Sequence, residues 1–156
     1  MYTDILVPTD GSEASLRAAR EAIDLARAID ATVHVVYVVD ESAGTMLLSG
    51  SSMATLLEEL NERGAEATEA VSALADDVPV ETEVVRGTRV EGAILDYATA
   101  HDVDLIVMGS HGKRGIDRLL GSTTQRVLAH SDIPVLVVAS HEAEDEPGGE
   151  PSDTEA

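Results

Sequence analysis

Cysteine is absent from this 156-residue chain, as are tryptophan and phenylalanine, and the only aromatic rings besides histidine are Tyr2, Tyr37 and Tyr97. Without cysteine there are no disulfides, thiolate zinc sites or cysteine nucleophiles. With so few rings, a core has to rest on Val, Leu, Ile and Ala. Positive charge is scarce too. Ten basic residues, of which only Lys113 is a lysine, face 30 acidic ones, for a formal net charge of −20. Such a chain has no basic face with which to displace counterions from a phosphate backbone, so a nucleic-acid partner is excluded. No apolar run is long enough to span a membrane, and the opening MYTDILVPTD lacks the charged n-region and cleavage site of a secretory signal. The expectation is a soluble, cytoplasmic, single-domain protein with no membrane partner. Hydrophobic residues at 44% and charged residues at 26% are a globular composition, and this length suffices for one core. An acid-rich, almost lysine-free surface suits a cytoplasm of very high salt, where the screening length falls to roughly 3 Å at 1 M. A halophilic source is therefore expected.

Composition divides the chain once. Residues 140–156 carry seven acids, no Lys or Arg, and Pro147, Gly148, Gly149 and Pro151. The segment reads as an acidic disordered tail behind a domain of residues 1–139. That domain still holds −13 of the −20.

Within 1–139 two periodicities alternate. Ile5-Leu6-Val7 is a short apolar strand closed by Pro8; Leu16, Ala19, Ile23, Ala26 and Ile29 mark an amphipathic helix. Val33 to Val39 is a buried strand, followed by a Gly/Ser-rich loop from Ser42 to Ser52. Leu56, Leu60, Ala67, Val71 and Leu74 share a second helix face. Val80 to Val85 alternates as a strand with one wet face, and Val90, Ile94 and Ala98 line a third helix. Leu105 to Met108 and Val135 to Val138 are the last strands, with a helix from about Ser122 to His130 between them. Five strands alternating with four helices predict an α/β fold, a parallel sheet with helices on both faces. The third strand is the least apolar and belongs at an edge, which favours the order 3-2-1-4-5. Strands 1 and 4 then meet at the topological switch point, where ligands bind at the carboxyl ends of the strands. The segments leaving those ends are Thr9-Asp10-Gly11-Ser12 and Gly109-Ser110-His111-Gly112, the most polar and glycine-rich turns of the chain.

The second of these opens a longer constellation, Gly109 to Ser122. Glycines let a ligand approach the backbone. Ser122-Thr123-Thr124-Gln125 has capping-box spacing and marks a helix start, whose free N–H groups and dipole favour an anion. Lys113, Arg114 and Arg118 crowd three of the ten cations into six positions. A phosphate-bearing ligand is the natural occupant. The arrangement is neither a P-loop nor a GxGxxG dinucleotide turn, and a first strand ending in Asp10 disfavours a nicotinamide cofactor.

The constellation resembles the ATP-binding branch of the universal stress protein family, whose signature G-x2-G-x9-G-[ST] follows the fourth strand and precedes a helix and a P-V-L-V-V strand. Gly109, Gly112, Gly121 and Ser122 match it, and Ile133-Pro-Val-Leu-Val-Val138 follows. Ile5 to Ser12 resembles the family's first strand and acidic turn, and Val33 to Asp40 its second strand, so the likeness runs over residues 2–139. One departure stands out: eight residues, not nine, separate Gly112 from Gly121. Either the shorter loop tightens without harm, or the phosphates sit differently.

The resemblance implies a Rossmann-like fold of the adenine nucleotide alpha hydrolase type, with ATP and Mg²⁺ as ligands. Pro8, Thr9 and Asp10 would border the site. Val38 would meet adenine through its backbone, and Met108 would pack on the base. Asp10 would sit by the ribose or reach the phosphates through Mg²⁺, since a bare carboxylate repels them; the other reading of Asp10 is an acid serving the helix start near Ser12. Gly109 would line the ribose end, Gly112 and Lys113 would meet the phosphates, and Gly121, Ser122 and Thr123 would present donors. The family also pairs its last strand across a two-fold axis, which implies a homodimer through Val135 to Val138. The implied role is a regulatory or protective module in stress response, acting on a protein partner that the sequence does not identify. Two alternatives stay open: an enzyme using the same crevice for slow ATP hydrolysis or phosphoryl or adenylyl transfer, and a non-nucleotide dimeric interaction protein.

Other chemistry is thin. The five histidines show no metal-ligand spacing, there is no GxSxG, and Ser110-His111 are not a nucleophile–base pair by adjacency. A phospho-receiver domain needs an Asp closing its third strand, where this chain has Arg86-Gly87. No catalytic residue is expected; without an evident general base, any ATP hydrolysis should be slow.

Overall fold

A computed structural model describes residues 1–42, 52–111 and 120–139. The greater part of the Ser42–Ser52 loop, the segment holding Gly112, Lys113, Arg114 and Arg118, and the tail read at 140–156 lie outside the described residues. The elements run β1 (Asp4–Pro8), α1 (Glu13–Ile29), β2 (Thr32–Asp40), α2 (Met53–Ser72), β3 (Val80–Gly87), α3 (Val90–Ala100), β4 (Leu105–Gly109), α4 (Ser122–His130) and β5 (Val135–Val138). The five strands form one parallel sheet in the order β3-β2-β1-β4-β5, as the sequence predicts.

The central strands are apolar because both their faces are covered. In β1, Ile5, Leu6 and Val7 are fully buried, and Ile106 and Val107 of β4 likewise. Successive side chains feed opposite layers. Ile5, Val7, Val33 and Val35 pack under α1 and α2, while Leu6, Val36, Ile106 and Met108 pack under α3 and α4. Helix α1 comes close to the sheet because its inner face is nearly all alanine, with Ala14, Ala18, Ala19, Ala22 and Ala26 buried. Leu16 and Ile29, expected on that face, are only partly buried at its margin. Each fully buried Val, Leu or Ile contributes roughly 1.5–3 kcal/mol, so the two layers rest almost wholly on aliphatic side chains, with the Tyr97 ring buried in the second.

Edge strand β3 departs from the expected alternation: Glu81, Thr82 and Glu83 are all exposed, and burial resumes only at Val84. Thr82 shares a face with the partly buried Val80 and Val84 but is itself exposed. Tyr37 of β2 packs against α2 at Gly64, where an added Cβ would lie 2.8 Å from its ring.

Helix α1 begins at Ser12, whose hydroxyl accepts from Ser15 N at 3.2 Å. The start of α4 differs from expectation. Its N-cap is Gly121, not Ser122, and no side chain caps it. The capping-box reading therefore falls. Gly121 N is already tied to Ser110 O at 2.7 Å, which places the first helical residue at Ser122. Gln125 donates its side-chain amide to Leu120 O at 2.8 Å instead.

Candidate functional site

At the carboxyl ends of β1, β2 and β4 lies a cavity of about 440 Å³. Neighbouring β1 and β4 diverge there because their following helices leave on opposite faces, α1 on one and α4 on the other, the geometry of a topological switch point. Nine of the eleven residues singled out from the sequence stand on its wall: Pro8, Thr9, Asp10, Val38, Met108, Gly109, Gly121, Ser122 and Thr123. The other two, Gly112 and Lys113, lie outside the described residues. His111 is on the wall as well.

The β1 end is braced by hydroxyls. Thr9 N donates to Val36 O at 2.9 Å, prolonging the pairing with β2. Thr9 Oγ1 accepts from Gly11 N at 3.1 Å and lies 3.0 Å from Ser15 Oγ. Ser15 Oγ itself donates to Ser12 O at 2.9 Å, so Thr9 is the donor in the shared hydroxyl contact. Asp10 Oδ1 accepts from Ser12 N at 2.9 Å while its exposed carboxylate borders the cavity. It thus serves the helix start and faces the crevice at once.

The β4 end is set by close packing. An added Cβ on Gly109 would lie 2.8 Å from the carbonyl oxygen of Ala14, so this glycine admits α1 against the strand end. Thr124 Oγ1 donates to Gly109 O at 3.0 Å and anchors α4 over it. No side chain caps the first N–H groups of α4, and Ser122 and Thr123 of that first turn stand on the cavity wall.

Sequence reasoning missed Ser15, Val36, Tyr37, Val90, Ile94 and Thr124 on the wall. Val90 and Ile94 carried a signal, a helical apolar face, but that pattern does not say what the face meets. Val36 shares a strand face with Val38, and this two-residue period was the one cue available for it.

The cavity is therefore two-sided. Val36, Val90, Ile94 and Met108 make an apolar flank, and Asp10 with the start of α4 makes a polar one. Among the described residues no group of three His, Asp or Glu side chains could hold a metal ion. Asp10 is the one carboxylate among the described lining residues; Mg²⁺ commonly takes one or two carboxylates and completes its shell with phosphate oxygens and water. Also among the described residues, no helix is long and apolar enough to cross a membrane.

The model of the universal stress protein family matches residues 1–139. Universal stress protein MJ0531 of Methanocaldococcus jannaschii is 42% identical over 141 residues, a span covering 88% of this chain and 82% of that protein. The solved structure of universal stress protein UspA from Lactobacillus plantarum superposes with a TM-score of 0.72 at 34% identity, covering 88% of this chain and 97% of the other. A universal stress protein solved in complex with cAMP superposes with a TM-score of 0.63 at 29% identity, covering 88% and 97%. By sequence over almost its whole described length, and by the order of its strands, the chain belongs to the universal stress protein family.

Proposed function

We propose that the chain binds an adenine nucleotide in the crevice between β1 and β4, with ATP and Mg²⁺ as its working ligand. One observation carries this reading: the two flanks of the cavity differ in chemistry in the order a nucleotide needs. The base lies against Val36, Val90, Ile94 and Met108, with the backbone of Val38 at the strand end in reach of its polar edge. Phosphates go to the uncapped start of α4, where backbone N–H groups and the helix dipole favour negative charge. Asp10 on the polar flank would accept from the ribose hydroxyls, or would hold Mg²⁺, which would supply charge neutralisation for the phosphates. The relative solved with cAMP lends support, since its fold superposes on this one.

The binding unit is residues 1–139, cytoplasmic, and paired into a homodimer through β5. Leu136 of that edge strand and Leu128 of α4 are 43% and 42% exposed, and an apolar edge strand left open invites pairing. Nucleotide occupancy then regulates contact with a protein partner in a stress response.

Calorimetric titration of ATP with Mg²⁺ in about 1 M KCl, which screens the acidic surface, tests the reading. Saturable binding of one nucleotide per chain is expected. At a hundredfold excess over Kd it should stabilise the fold by about 2.7 kcal/mol. Absence of both heat and a melting shift at millimolar ATP would refute it.

A further inference from the structure

A second cavity, of about 280 Å³, adjoins the first. Asp10 and Tyr37 line both cavities and so form the partition between them. Beyond the partition the second cavity runs between α1 and α2, where Leu16 faces Ala67 and Ala70 and the short alanine side chains leave the gap between the helices open. Arg63 and Glu66 belong to the same stripe of α2, at the three- and four-residue spacing of one helix face. Its floor is therefore apolar, and the polar groups of its wall lack partners. Among the described residues the Tyr37 hydroxyl makes no hydrogen bond, and Arg63 and Glu66, three positions apart, pair neither with each other nor with another charge. Asp10 differs, since its Oδ1 already accepts from Ser12 N at 2.9 Å. Burial pushes the Tyr37 hydroxyl above its ordinary range, with the Arg63 guanidinium pulling it down and the Asp10 carboxylate adding to the rise. The hydroxyl thus keeps its hydrogen, and both charged groups are near enough to act on it. Two donors, the Tyr37 hydroxyl and the Arg63 guanidinium, stand at the partition with no acceptor of their own.

We propose that the second cavity receives a phosphate carried on the ribose, so that the ligands of this site include adenine nucleotides with a 2′- or 3′-phosphate, held by Arg63 and the Tyr37 hydroxyl. This rests on the nucleotide reading above and specifies its ligand class. Asp10 is the reason for the direction. A ribose hydroxyl that donates to Asp10 lies on the partition, and a substituent on the neighbouring hydroxyl is carried past it. The apolar floor of Leu16, Ala67 and Ala70 cannot solvate a charge, so an anionic substituent settles at the Tyr37 and Arg63 end. A guanidinium suits that task, because its planar fork of N–H groups matches two phosphate oxygens at once. Glu66 works against it: its carboxylate lines the same cavity and repels the phosphate.

The test measures calorimetric affinities in about 1 M KCl with Mg²⁺. The ligands are 5′-AMP, ADP, adenosine 2′,5′-bisphosphate and adenosine 3′,5′-bisphosphate; the proteins are the wild type, Arg63→Gln, Arg63→Lys and Glu66→Gln. ADP carries its extra phosphate on the other flank and so controls for ligand charge alone. Expected in the wild type is a preference of about fivefold for at least one bisphosphate over 5′-AMP, a charge-assisted bond weakened by salt. Arg63→Gln should abolish that preference, Arg63→Lys should keep part of it, and Glu66→Gln should widen it. The ratio of ADP to 5′-AMP affinity should be the same in every protein, whereas a merely structural role for Arg63 would move ADP and the bisphosphates together. If 5′-AMP and ADP bind but neither bisphosphate is preferred, or if the preference survives Arg63→Gln, the ribose-phosphate site is overturned and the nucleotide reading stands. If none of the four ligands binds, the nucleotide reading fails and takes this site with it. Arg63 and Glu66 are exposed, so these variants leave the core intact, and the wild-type comparison decides the first point without any variant.

Discussion

At Gly109 the strand end meets the carbonyl of Ala14 so closely that no side chain fits. A methyl there must push α1 off β4, an overpacking cost of about 1–3 kcal/mol. For a chain of this size that lowers the melting temperature by several degrees, and Gly109→Ala should show it by calorimetric scan even without nucleotide. The signature glycine is thus a packing residue as well as a wall of the cavity. Asp4 makes a second residue-scale prediction, with a defined sign. Its carboxyl is held below the ordinary carboxylate range, chiefly by the His34 hydrogen bond. Its stabilising contribution is fully present above that range and is lost as pH falls through the lower value of the folded protein. Urea midpoints of the wild type should therefore exceed those of Asp4→Asn at neutral pH, and the gap should close in strong acid. A gap independent of pH would show that the pair carries no linked proton.

Among the elements, α2 sets two rules against each other at Gly64. Replacing a mid-helix glycine by alanine ordinarily stabilises by about 1 kcal/mol. Here the new Cβ would lie 2.8 Å from the Tyr37 ring and 3.0 Å from Val84, and overpacking at about 1–3 kcal/mol outweighs the propensity gain. Gly64→Ala should lower, not raise, the denaturation midpoint. Strand β5 gives another element-scale expectation. If its open edge pairs two copies, light scattering in molar salt returns twice the mass of one chain, and Leu136→Glu, planting like charges across the two-fold axis, returns the single mass. Elements were legible to different degrees. Strands buried on both faces announce themselves as apolar runs, and one half-wet strand identifies its own edge, which is why β3 could be placed. The start of α4 was misread because S-x-x-Q spacing suits Ser122 as a cap, whereas a distant bond from Gly121 to Ser110 decides the matter. The polar half of the cavity was legible because it sits on turns with unusual composition. Its apolar half was legible only at Val38 and Met108, and there only through the resemblance, since Val90 and Ile94 look like any helix core. The His34–Tyr97 bond joins residues 63 apart in sequence, a pairing no local pattern encodes.

For the molecule as a whole, charge dominates. A formal −20 on 156 residues imposes self-repulsion that only counterions relieve, and the described cations are partly engaged in local pairs such as Arg27 with Asp24 and Asp77. Melting temperature should climb steadily with KCl from about 0.1 to above 1 M, as the screening length shrinks from about 10 Å to about 3 Å. Dialysis to low salt should loosen or unfold the protein, and indifference to salt would exclude a halophilic adaptation. The same repulsion opposes phosphate entry, so nucleotide affinity should also improve with salt, the reverse of the usual trend for anionic ligands. One further feature bears on how such a molecule can change over generations. The segment between Ser110 and Gly121 is pinched at its root by the bond between those two residues, with Thr124 fastened to Gly109 just below. Both anchoring bonds are made by residues flanking the segment and by none within 112–119. A segment of another length grafted between Ser110 and Gly121 is then expected to leave both anchoring bonds in place, and an unchanged melting temperature of such a chimera would bear that out.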